Sequence, residues 1–201
     1  GKGVFITKTP QEAEQAVAFL FEQKGLGEAG RTAVLEEFLK GTEATFMVFT
    51  DGKTASPMVP SRDHKTVFDD DLGPNTGGMG VYAPASLITP VLQQEVMESV
   101  VQPLLSEMAR AGTPYRGVLY VGLMICDGRP KVLEFNSRFG DPETQAILPL
   151  LETDLIEIIE AVINGTLHRK TIRWSQSASL CVVLTSKGYP GDYKTGIPIQ
   201  G

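Results

Sequence analysis

The stretch Arg116–Glu143, RGVLYVGLMICDGRPKVLEFNSRFGDPE, decides how this chain folds. Arg116–Cys126 and Pro130–Asn136 are β-prone runs joined at Asp127-Gly128, a dipeptide that favours a tight hairpin. Side chains alternate along a strand, so Glu134, Asn136 and Arg138 are expected on one face and Leu133 and Phe135 on the other. A hairpin whose second strand ends in a polar face is the frame for everything else.

Moving outward, Glu43–Thr50 reads as a strand that Asp51-Gly52 turns into another, and Thr32–Phe38 reads as a strand before it. Val4–Ile6 is a short β-prone run. Thr9, Pro10 and Glu12 supply a cap, a proline at the first helical position and an acid three residues after the cap. The helix they open carries Ala13, Ala16, Val17, Leu20 and Phe21 on one stripe and stops near Gly25, before a loop expected to be mobile up to Gly30. A second helix starts at Thr89-Pro90 and runs toward Gly112, with a kink expected at Pro103. Thr144–Leu151 and Asp154–Asn164 read as helices, the latter capped by Thr153, and Ser179–Thr185 as a late strand. Between Pro60 and Gly80 periodicity vanishes, which predicts a long loop kept for function. The class is α+β: mixed and antiparallel sheets with helices packed on them.

Composition narrows the function. Among 201 residues, 42% are hydrophobic and 21% charged, ordinary values for a folded chain. The net charge of −6 and the lack of any basic block argue against nucleic acid as a partner. Apolar runs such as Gly117–Cys126 fall short of the roughly 20 residues a membrane helix needs, so no membrane partner is expected. Cys126 and Cys181 form no CxxC pair, and His64 and His168 show no metal spacing, which leaves neither a zinc site nor a disulfide framework and points to a reducing cytoplasm. With no initial Met and an end in mid-pattern at Gly196-Ile197-Pro198-Ile199, the chain reads as a piece of a longer one.

Four constellations could carry chemistry. Glu134 and Asn136 offer a carboxylate and an amide oxygen beside the guanidinium of Arg138. That set suits Mg²⁺ or Mn²⁺ against a phosphate, and it equally suits a solvated strand face with an Arg pair. Asn75-Thr76-Gly77-Gly78-Met79-Gly80, preceded by Asp63-His64-Lys65, could let backbone amides cradle an anion or could be a flexible turn. Lys2 in Gly1-Lys2-Gly3 could meet phosphate, but no Ser or Thr follows it and no Walker motif exists. Glu36-Glu37-Phe38-Leu39, Gly41 and Glu43 could serve a nucleobase and a ribose, or form a charged edge turning at Gly41.

Taken in order, Gly1–Gly3, Glu36–Glu43, Asp63–Lys65, Gly73–Gly80 and Glu134–Glu143 resemble the glycinamide ribonucleotide synthetase family of the ATP-grasp superfamily. Ser186-Lys187-Gly188-Tyr189-Pro190-Gly191-Asp192-Tyr193 resembles the opening of that family's C-terminal domain. The resemblance implies a partial ATP-grasp fold: residues 1–48 as the rest of the small subdomain, 49–168 as the catalytic subdomain, 169–201 as the start of a C-terminal domain, and an N-terminal domain lying outside the chain. It implies ATP-dependent joining of glycine to 5-phosphoribosylamine with Mg²⁺ or Mn²⁺, in a monomer or weak oligomer, and poor turnover by the isolated piece. It also implies roles. Glu134 and Asn136 hold metal; Lys2, Glu36, Glu37, Phe38, Leu39, Glu43 and Lys65 meet ATP. Asp63, Asn75, Thr76, Gly77, Gly78, Met79 and Gly80 line the substrate side, and Arg138 and Asp141 are catalytic. One departure is expected to matter: Leu119–Ile125 carries no acid where many ATP-grasp enzymes place a second ligand, and Gly122 stands there instead.

Overall fold

Seven consecutive buried residues, Ala44–Thr50, mark the strand around which the structure is organised. The computed structural model describes residues 3–70 and 72–200. In chain order its elements are α1 (Pro10–Phe21), β1 (Thr42–Thr50), β2 (Ala55–Pro57), β3 (Arg62–Phe68), β4 (Leu72–Ala83) and α2 (Pro90–Val96). There follow α3 (Gln102–Arg110), β5 (Gly117–Cys126), β6 (Arg129–Asn136), α4 (Glu143–Ile147), α5 (Leu155–Asn164) and β7 (Ser179–Val182). One antiparallel sheet has the order β2-β1-β5-β6 and a second the order β3-β4-β7.

β1 is apolar on both faces because both are covered. Ala44, Phe46 and Val48 enter one core with Leu92, Val96, Val101 and Leu105 from the α2–α3 helix. Met47 and Phe49 enter the other with Val81, Ile147, Ile158 and Leu167. Phe46 and Val48 are 0% exposed, and each such side chain contributes about 1.5–3 kcal/mol by leaving water. Asp51, expected only to turn the chain, is itself buried. Its carboxylate accepts the N–H groups of Lys53, Thr54 and Leu167, tying the turn to the segment after α5. Burial opposes its ionisation, but these backbone donors outweigh that and hold its pKa below the usual carboxylate value.

The caps follow the sequence in part. Thr9 and Thr89 accept from Glu12 N and Leu92 N, as expected. The kink expected at Pro103 takes the form of a π turn, Met97–Val101, in which Gln102 N bonds Met97 O, just before the proline that has no N–H to give. Asp154, not Thr153, caps α5, and Thr153 Oγ1 accepts from Arg173 N instead. The helix expected over Thr144–Leu151 is the short α4 followed by a 3₁₀ turn at Leu148–Leu150.

Other expectations fail for physical reasons. Neither Val4–Ile6 nor Thr32–Phe38 forms a strand among the described residues, and Val34 and Leu35 are 82% and 95% exposed. β-propensity makes no strand without a neighbouring strand to complete its hydrogen bonds. The aperiodic stretch from Pro60 to Gly80 is no loop: it holds β3 and most of β4, because strands written in Gly, Asn and Thr carry no apolar alternation to read. The chain divides into two units, 1–40 and 41–201. Within the second unit β7 pairs with β4.

Candidate active site

Glu134 and Asn136, the pair expected to hold metal, are brought together by the β5–β6 hairpin. Glu134 lies opposite Gly122 and Asn136 opposite Tyr120, with a register shift between Gly122 and Leu123 that marks a bulge beside the pair. Asn136 Nδ2 donates to Glu134 Oε1 at 3.2 Å, so the two side chains share one face, as alternation predicts. A Cβ at Gly122 would sit 3.1 Å from Glu134 Cγ, so the position that lacks an acid also lacks room for one without displacing Glu134. Arg138 departs from the expectation. β6 ends at Asn136, so alternation does not extend to residue 138, and the Arg138 guanidinium donates to the carbonyl of Phe139 at 2.8 Å. Asp141 is exposed and accepts from Gln145 Nε2 at 2.6 Å.

β1 and β3 supply the facing wall. Asp63 and Lys65, two apart on β3, lie with Glu43 on β1, and Lys65 Nζ meets Glu43 Oε2 at 2.9 Å. Burial lowers the pKa of the Lys65 ammonium. The hydrogen-bonded Glu43 carboxylate, with Asp63 and Glu134 beyond it, outweighs this and raises the pKa above the usual lysine value. Asp63 is 8% exposed, and its Oδ1 has no hydrogen-bond partner among the described residues. Burial, then the nearby Glu143 carboxylate, push its pKa up to about 7, against the opposing pull of Lys65.

Beneath this wall lies a group given no role in the sequence. Glu143 is 2% exposed and its Oε1 accepts from Thr45 Oγ1 at 2.8 Å and Tyr120 Oη at 2.9 Å. Thr45 Oγ1 and Tyr120 Oη are themselves 3.1 Å apart. Burial, followed by the Glu143 carboxylate, drives the Tyr120 phenol pKa upward, so it stays a donor. The triad joins β1, β5 and the turn into α4. Glu143 closed the motif quoted first, but nothing local distinguishes a buried acid from an exposed one, and Thr45 and Tyr120 read simply as strand residues.

Asn75–Gly80 is a strand and not the expected turn. Asn75 pairs with Thr66 and Gly80 with His64, and Thr76 Oγ1 donates to Lys65 O while accepting from Gly78 N. Gly78 has φ +124°, and a Cβ there would clash with Pro142 Cδ and lie 2.8 Å from Asp63 Oδ1, so only glycine fits. Met79 passes its carbonyl to Val183 N. Glu36, Glu37, Phe38 and Leu39 lie outside any helix or strand in the first unit, and Lys2 lies outside the described residues.

Among the described residues no three of His, Cys, Asp and Glu gather around a common point. One carboxylate and one carboxamide with no thiol or imidazole nonetheless fit a hard divalent cation that takes its other ligands from phosphate or water. Among the described residues no helix is long and apolar enough to cross a membrane.

The model of the phosphoribosylglycinamide synthetase ATP-grasp (A) domain matches residues 1–144. The chain is 50% identical over 202 aligned residues to the phosphoribosylamine–glycine ligase of Pasteurella multocida, covering 100% of this chain and 47% of that protein. The crystal structure of the phosphoribosylamine–glycine ligase of Thermotoga maritima superposes with a TM-score of 0.79 at 32% identity, over 96% of this chain and 49% of that one. The biotin carboxylase domain of the Hydrogenobacter thermophilus 2-oxoglutarate carboxylase, solved with MgADP and bicarbonate, shares the fold: TM-score 0.65 at 15% identity, over 89% of this chain and 37% of that one. The chain thus spans about half the length of the ligases it matches.

Proposed function

Because the chain belongs to the phosphoribosylglycinamide synthetase ATP-grasp (A) domain family, we propose that it is the phosphate-handling part of a longer ligase. That ligase joins glycine to 5-phosphoribosylamine, with ATP giving ADP and phosphate. The observation that carries this reading is Glu134 and Asn136 on one strand face, with the Lys65–Glu43 pair and the buried Asp63 opposite.

A carboxylate is a poor acyl donor because oxide is its leaving group; transfer of a phosphoryl group from ATP to the glycine carboxylate replaces that leaving group with phosphate. The amine nitrogen then attacks the acyl carbon, the C–O bond to phosphate breaks, and the nitrogen gives up a proton. Glu134 and Asn136 would hold Mg²⁺ or Mn²⁺, which when bound neutralises charge on the nucleotide phosphates. Lys65, kept cationic by Glu43, adds positive charge on the same side. Glu36–Leu39 and Glu43 would meet adenine and ribose, Lys2 a phosphate. Asp63 and Asn75–Gly80 would line the substrate side. Asp141 would act there with Arg138 once its guanidinium leaves the Phe139 carbonyl.

The test uses the full-length parent. ADP release should require glycine and phosphoribosylamine together, and Glu134→Gln should lower turnover about 100-fold or more while melting at the same temperature. Ordinary activity of that variant at saturating Mg²⁺ would remove Glu134 from the metal role, and ADP release with some other acid and amine would refute the substrate assignment.

A further inference from the structure

The segment Ser186–Tyr193, which lies beyond the residues matched by the family model, reaches back onto the glycine-rich strand. Tyr189 Oη accepts from Gly77 N at 2.9 Å, and a Cβ at Gly77 would lie 3.3 Å from the same oxygen. The bond falls where the sheet cannot supply one. β4 pairs with β3 at Asn75 and again at Gly80, but the partners are Thr66 and His64, so Thr76–Met79 span a gap bridged on β3 by Lys65 alone. β7 pairs with β4 from Gly80 onward, and beyond that register, among the described residues, only the Met79 carbonyl is used, accepting from Val183 N. The amides of the resulting bulge therefore turn to hydroxyls: Gly78 N donates to Thr76 Oγ1, and Gly77 N to Tyr189 Oη.

The tyrosine is itself held in place. Tyr189 N bonds Ser186 O, Gly191 N bonds Gly188 O, and the Tyr193 ring packs edge-on against Tyr189 with centroids 5.5 Å apart. Gly188 takes φ +105°, which closes this turn under the strand. Glycines at a gap in the ladder weaken the strand, so one side chain clamping them affects its shape.

We propose that Tyr189 is a positioning residue. Its hydroxyl holds Thr76–Gly78 in the conformation in which this strand lines the substrate side. The identity of that substrate, a phosphorylated amine, rests on the ligase reading above; the clamp does not. Tyr189 touches no reacting atom and acts through the Gly77 amide.

Tyr189→Phe in the full-length parent removes the hydroxyl and keeps the ring. Two measurements decide its role: steady-state ADP release with each substrate varied in turn, and hydrogen exchange of the peptide containing residues 75–80. We expect exchange in that peptide to quicken about 10-fold and the KM for phosphoribosylamine to rise about 10-fold, the loss of one hydrogen bond. The KM for ATP, kcat and the melting temperature should stay within about twofold or unshifted, since the rest of the fold keeps its contacts. Unchanged exchange, or an unchanged KM for phosphoribosylamine, overturns the proposal. So does a uniform decline of all constants together with melting temperature, which marks a merely structural tyrosine. A wild-type parent that releases no ADP with these substrates defeats the ligase reading instead, and the exchange measurement then decides the clamp by itself.

Discussion

Replacing Asp63 by Asn tests the electrostatics of the site without changing its shape. Asp63 is 8% exposed, and burial with the Glu143 carboxylate raises its pKa from 3.8 to about 7. In the folded chain it therefore keeps its proton up to about pH 7, whereas in the unfolded chain it loses it near 3.8. Between those values the folded state binds the extra proton, so stability falls as pH rises across that window. Above it, the folded chain carries a buried carboxylate that disfavours folding by about 4 kcal/mol, at 1.36 kcal/mol per pH unit. Asn is neutral throughout and nearly isosteric. Thermal unfolding of the 201-residue chain and of Asp63→Asn, followed by circular dichroism at pH 5.5 and pH 8.5, should show the variant melting higher by about 5 °C at the lower pH, where about 2 kcal/mol of that penalty is already present. At pH 8.5 the variant should melt higher by about 10 °C, given about 2–4 °C per kcal/mol for a unit of this size. An equal difference at both pH values, or a variant that melts lower at pH 8.5, would show that Asp63 is ionised in the folded chain and refute the reasoning.

Two further outcomes follow from the packing around that residue. Glu143→Ala strands the hydroxyls of Thr45 and Tyr120 and leaves a hole, so urea unfolding should show a loss of about 3–5 kcal/mol, of which Glu143→Gln, still an acceptor, should recover about half. Gly78→Ala places a methyl group against Pro142 and Asp63 at positive φ and should cost about 2–4 kcal/mol in the same assay. Gly128→Ala, whose methyl would meet nothing, should cost only about 1 kcal/mol.

What the sequence by itself determined was local. The Asp127-Gly128 hairpin, the Thr9 and Thr89 caps and the shared face of Glu134 and Asn136 all follow from turn chemistry, capping oxygens and the two-residue period of a strand. Motif order carried the family, which the match over residues 1–144 supports. Tertiary structure decided what depends on partners distant in the chain. Thr32–Phe38 forms no strand among the described residues, while the glycine-rich stretch becomes β4 because β3 and β7 pair with it. Arg138 turns aside where β6 ends. Glu143 becomes a buried anchor only because Thr45, 98 positions away, and Tyr120, 23 away, bring hydroxyls to it. Composition and period count what a residue is; the proton on Asp63 depends on how much water and which charges surround it, and only the packed chain sets those.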